Sequence, residues 1–133
     1  MAVRHLLDTN IASYVIKGNF PRVRQRLSRL SSGEVCISTV TEAELRFGAE
    51  RLPGAVQLRA AIAEFLEAIE ALAWDSRAAE RYAEVRAGLE RSGTPMGNLD
   101  MMIAAHALAL EAVLVTHDRV FRRLKGLRTE DWT

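Results

Sequence analysis

Asn98-Leu99-Asp100-Met101-Met102-Ile103-Ala104-Ala105-His106-Ala107-Leu108-Ala109-Leu110 and, one glutamate later, Ala112-Val113-Leu114-Val115-Thr116 decide the fold. The first stretch starts with a turn-forming Asn98 that predicts a helix cap, and it is apolar on nearly every side. Such a helix is covered on most of its surface. The second is a β-branched apolar run, the clearest strand in the chain. A buried helix feeding a fully apolar strand is the signature of a parallel sheet covered on both faces.

Working outward, the same alternation recurs. Val3 to Leu7 reads as a short buried strand that stops at Asp8-Thr9-Asn10, residue types that cap helices. Pro21 to Leu30 carries Val23, Leu27 and Leu30 on one face, with Arg22, Arg26 and Arg29 as a cationic stripe beside it. Val35-Cys36-Ile37-Ser38 is a second strand, followed by a helix through Ala43-Glu44-Leu45-Arg46-Phe47. Pro53-Gly54 precedes a helical run from Ala55 to Ala71, and Leu72-Ala73-Trp74 forms a brief third strand. A further amphipathic helix holds Ala78, Tyr82, Val85 and Leu89 inward and closes at Ser92-Gly93-Thr94-Pro95. The expected class is α/β, with helices on both sides of a mostly parallel sheet.

Length and composition agree with one domain covering residues 1–133. Hydrophobic residues make up 49% and charged residues 26%, which excludes a disordered chain and a coiled coil. Eighteen basic and seventeen acidic residues leave a net charge of +1, so any nucleic acid must be handled at a local site. The single cysteine, Cys36, excludes an internal disulfide and a cysteine-rich zinc module. The longest strongly apolar stretch, Met101 to Leu110, is half the length of a membrane span, and the opening residues are too short for a signal peptide. The expectation is a soluble, cytoplasmic protein with no membrane attachment.

The acids fall at informative places. Asp8 ends the first strand, Asp118 lies two residues past Thr116, Asp100 sits in the first turn of the buried helix, and Glu44 follows the second strand by one helical turn. In open parallel sheets the functional crevice lies outside the carboxyl ends of the strands. A helix N-terminus stabilises a nearby negative charge by ~0.3–1 kcal/mol. Four carboxylates from four segments can therefore face one crevice, where mutual repulsion and desolvation call for a compensating cation. Oxygen ligands suit Mg²⁺ or Mn²⁺, and such an ion can polarise a phosphodiester and activate water. Each acid taken alone is equally well an ordinary cap or surface charge. The joint placement of Asp8, Asp100 and Asp118 favours a site.

Leu6-Leu7-Asp8-Thr9-Asn10, Ile37 through Ala49, Asp100 through Ala107 and Leu114-Val115-Thr116-His117-Asp118 together resemble a PIN domain, and more narrowly the VapC toxins of bacterial toxin–antitoxin pairs. The resemblance runs the whole length and includes the closing Arg128-Thr129-Glu130-Asp131-Trp132. It implies a PIN-like three-layer α/β/α sandwich. It also implies a Mg²⁺- or Mn²⁺-dependent endoribonuclease, a homodimer, and inhibition by a VapB-type antitoxin. Carried over, Asp8, Glu44, Asp100 and Asp118 match the acidic quartet that holds metal and performs catalysis, while Thr9, Asn10 and Thr116 match its polar support. The Glu-Leu-x-x-Gly pattern selects Glu44 over Glu42, which stands about 200° away around a helix. Gly93 through Asp100 and Glu130-Asp131-Trp132 are similar to the VapC subgroup that cuts initiator tRNA in its anticodon loop, which makes tRNA the expected RNA substrate. Arg22, Arg26, Arg29 and Arg46 are the candidate RNA contacts.

Competing readings are weaker. His117 is either a proton shuttle or an exposed loop residue, and His106, on an apolar helix, reads as core. A phosphoacceptor receiver domain needs paired acids after the first strand and a late lysine, and neither is present. An Asp-x-Asp phosphatase needs an acid where Asn10 stands. A PIN-type nuclease of RNA processing and a non-catalytic interaction module are the remaining alternatives. Chelation separates the second from any metal-dependent enzyme.

Overall fold

The computed structural model describes residues 3–133. Its strands are β1 (His5–Leu7), β2 (Val35–Ser38), β3 (Glu70–Leu72), β4 (Val113–Val115) and β5 (Thr129–Glu130). Its helices are α1 (Thr9–Lys17), α2 (Pro21–Ser28), α3 (Thr39–Glu50), α4 (Val56–Ala68), α5 (Ser76–Ser92) and α6 (Asn98–Leu110). Every strand pair is parallel, in the order β3-β2-β1-β4-β5. The chain lays strands to one side of β1, then returns to add β4 and β5 on the other. The carboxyl ends of β1 and β4 therefore flank the point where the winding reverses, the usual place for a crevice in such sheets.

Alternation along the strands divides the core in two. Leu7, Val35, Ile37 and Val115 face one side and pack with Ile11, Val23, Leu45, Ile62, Phe65 and Trp132 from α1–α4 and the C-terminus. Leu6, Cys36 and Leu114 face the other and pack with Val40, Ile103, Ala104, Ala107 and Phe121. Ala104 and Ala107 of α6 are completely buried, and their small side chains let this helix lie close against the sheet. Burial pushes the Cys36 thiol up to about 11. It is an inert core residue, as its apolar strand predicts.

Several boundaries differ from the sequence expectations; α2 ends at Ser28, for example, and β4 spans only Val113–Val115. The chain leaves α4 at Ile69, already extended, and β3 occupies Glu70–Leu72 rather than Leu72–Trp74. Pairing of Cys36, Ile37 and Ser38 with Glu70, Ala71 and Leu72 overrides the helical periodicity there. Asn98 is the first residue of α6, not its cap; Gly97 takes the cap position with no side-chain hydrogen bond. The strand expected from Val3 is confined to His5–Leu7. Glycine freedom matters at the end of α1. Gly18 stands at φ 76°, where a side chain would strain the turn that returns its N–H to the last carbonyls of the helix.

Candidate active site

Asp8 leaves the central strand and begins α1. Its Oδ1 accepts the Ile11 N–H at 2.8 Å, and its own N–H donates to the Val115 carbonyl at 3.0 Å, tying it to the neighbouring strand. The side chain is 5% exposed. Burial raises its pKa; hydrogen bonds from Thr116 and Ile11 oppose the rise, and the charges of Asp100 and Asp118 add to it. Asp100, in the first turn of α6 and half-buried, is raised by burial and then by Asp118 and Glu44. Asp8 and Asp100 thus each sense at least one other carboxylate beyond the carboxyl ends of β1 and β4.

Their supports are specific. Thr9 donates to Glu44 Oε1 at 2.6 Å and lies 3.1 Å from the Thr41 hydroxyl. Because the Thr9 proton goes to Glu44, the Thr41 hydroxyl donates to Thr9, which makes a relay that orients the glutamate. Thr116 accepts the Asp118 N–H at 3.0 Å, and Asp118 Oδ1 accepts the Val120 N–H at 2.9 Å to cap the 3-10 helix Arg119–Arg123. Asn10, Thr116 and Asp118 share one cleft of about 610 Å³. Glu42 receives Arg46 Nε at 2.8 Å, whereas Glu44 is the one that accepts from Thr9.

The expected RNA-contacting arginines are not brought to this crevice. Arg46 is held by Glu42 and lines a cleft between α3 and α4. Arg26 pairs with Glu130 at 3.3 Å and covers the Trp132 ring at 5.5 Å, so its charge is engaged by the C-terminal segment. Arg22 and Arg29 border a separate, smaller cleft against Asp131, Trp132 and Thr133. Residues that sequence reasoning passed over stand closer: Thr41, Tyr14, Arg119 and Arg122. Thr41 lies inside the motif that yielded Glu44, and Arg119 follows Asp118 directly; both could have been found by asking what surrounds the acids. His117 is exposed, with Nδ1 2.9 Å from Asp131 Oδ2. His106 is buried, with Nδ1 2.8 Å from Ser38 Oγ, and is a core residue as expected.

Among the described residues no three His, Cys, Asp or Glu side chains stand close enough to form a ready metal cage. The chemistry of the carboxylates nonetheless fits a hard divalent cation: all donors are oxygen, and burial together with like charge already opposes ionisation of Asp8 and Asp100. A cation would relieve that opposition.

The chain matches the PIN domain family model over residues 5–127. It is 42% identical over 132 residues to the tRNA(fMet)-specific endonuclease VapC of Shigella flexneri, an alignment covering 98% of this chain and 99% of that one. Among solved structures, DNA-bound VapBC from Salmonella typhimurium superposes with a TM-score of 0.92 at 38% identity, covering 98% and 99% of the two chains. VapBC2 from Rickettsia felis, bound to a promoter DNA fragment, gives 0.91 at 32% identity, covering 97% and 98%.

Proposed function

The chain belongs to the PIN-domain family, among its VapC ribonucleases, and from that premise we propose that it is the toxin of a toxin–antitoxin pair, cutting initiator tRNA in a reaction that requires Mg²⁺ or Mn²⁺. The observation that carries this reading is the convergence of Asp8, Glu44, Asp100 and Asp118 at the winding reversal of the sheet. A VapB-type antitoxin is the proposed inhibitor, and a homodimer the proposed working form.

In this site Asp8, Asp100, Glu44 and Asp118 would hold the metal. When bound, the ion supplies Lewis-acid polarisation of the phosphodiester and an activated water. The chain's own residues prepare for it. The Ile11 N–H fixes one oxygen of Asp8, the Thr41–Thr9 relay fixes Glu44, and Thr116 sets the loop that presents Asp118. The N-terminal end of α6 stabilises the charge on Asp100. The near-neutral surface favours an RNA of defined shape over long flexible RNA, because few phosphates can be neutralised. An anticodon stem–loop meets that requirement with unstacked bases the crevice can reach.

The test is incubation of purified protein with total tRNA and Mg²⁺, followed by separate probing of initiator and elongator species. Cleavage of the initiator alone is expected, and its loss on chelation. An intact initiator beside cut elongator tRNA removes the substrate assignment and leaves the nuclease. Cleavage that survives chelation removes the metal.

A further inference from the structure

The acid crevice poses a difficulty for its own substrate. A cluster of carboxylates repels a phosphodiester chain, so cations must hold the strand on either side of the bond to be cut. The 3-10 helix Arg119–Arg123 supplies them. Residues three apart eclipse one another in a 3-10 helix, and Arg119 and Arg122 accordingly line the same wall. Arg123 is turned the other way, donating to the Pro95 carbonyl at 3.2 Å. Neither Arg119 nor Arg122 is held in an ion pair among the described residues, whereas Arg26 and Arg46 are. The cleft they line, about 610 Å³, contains Asp118 of the acid cluster and Asn10 of α1. Its opposite wall carries Tyr14, whose ring rests against Phe20 with centroids 4.6 Å apart. Free guanidinium groups, an aromatic ring and one carboxylate of the acid cluster, Asp118, on the same lining are the elements of a single-strand groove that leads to the acids.

We propose that the cleft between α1 and the 3-10 helix Arg119–Arg123 is the groove for the RNA strand flanking the cleaved bond, with Arg119 and Arg122 as its phosphate ligands. This rests on the RNA-cleaving reading above and replaces the α2 arginine stripe as the track for the backbone. The C-terminal Asp131 borders both this cleft and the one lined by Arg22, Arg26 and Arg29.

Binding is measured apart from cleavage, using Asp100→Asn protein with a chelator and a fluorescent initiator-tRNA anticodon stem–loop across a salt series. Arg119→Ala/Arg122→Ala on that background should weaken binding at least about tenfold, and flatten the plot of log affinity against log salt by about 0.7 for each phosphate no longer neutralised. Arg119→Lys/Arg122→Lys keeps the charge and should restore most of the slope. Arg59→Ala/Arg77→Ala removes equal charge elsewhere and should leave the slope unchanged. An Ala double variant with the parent's slope overturns the groove alone. A parent that binds no RNA overturns the RNA-cleaving reading and the groove with it.

Discussion

At the scale of single residues, the site is a set of acids kept under electrostatic stress. Burial and neighbouring charge raise Asp8 and Asp100, so the folded state is penalised at any pH above their folded values, and the penalty disappears as pH falls through them. Asp8→Asn keeps an oxygen to cap α1 while removing one charge. It should raise the melting temperature of metal-free protein at neutral pH and abolish the stabilisation by Mn²⁺ expected of wild type, about 2.7 kcal/mol at a hundredfold excess over Kd. Calorimetry with and without Mn²⁺ checks both effects; a full metal response in the variant would exclude Asp8 as a ligand. Thr9→Val leaves every carboxylate in place but frees Glu44 from its 2.6 Å donor. The expected cost is about 10–100-fold in cleavage rate, the usual cost of losing a hydrogen bond behind a ligand. Asp8, Asp100 and Asp118 stand out in the sequence because each follows a strand or opens a helix, whereas Glu44, mid-way along α3, is picked out only by the Glu-Leu-x-x-Gly pattern. Arg119 and Arg122 do not stand out, because a short 3-10 turn has no hydrophobic period to reveal which charges share a wall.

At the scale of elements, α6 and β2 are joined by a polar contact in an apolar layer, His106 to Ser38, while Ser38 also caps α3 by accepting the Val40 N–H. One serine thus aligns three elements. Burial holds His106 below its ordinary value, so the unfolded chain takes up a proton that the folded chain refuses. The stability this residue contributes is complete above about pH 6.5 and drains away as pH falls toward its folded value, by up to about 1.4 kcal/mol per pH unit. His106→Gln should flatten urea-derived stability between about pH 6.5 and the folded value; a slope equal to wild type would place the proton uptake elsewhere. Elements with continuous apolar runs, β2, β4 and α6, were readable from composition alone. The two-residue β5 was not, since Thr129 and Glu130 carry no strand pattern and pair only because Leu114 and Val115 offer an open edge. The β3 boundary failed for the same reason, with sheet pairing deciding it over local preference.

At the scale of the whole molecule, the C-terminus is part of the core rather than an appendage. Trp132 is buried, packs against His5 at 5.5 Å, receives Arg26 on its ring, and donates Nε1–H to Glu130 at 2.9 Å. Glu130 in turn pairs with Arg26 and lies 3.7 Å from His5, so β1, α2 and β5 meet at this indole. Trp132→Ala should cost about 3–5 kcal/mol, measured by urea unfolding, and should loosen Asp131, which borders both clefts. A loss under about 1 kcal/mol would show the tail to be dispensable. The thiol in the middle of the sheet has a different use. Cys36 sits in β2 between β1 and β3, 2% exposed and reluctant to ionise. An alkylating reagent can reach it only when the sheet itself parts, so its labelling rate is a clock for global opening. That clock should slow when metal is added to wild type and keep its metal-free pace in Asp8→Asn, recording ligand binding from a residue that touches no ligand.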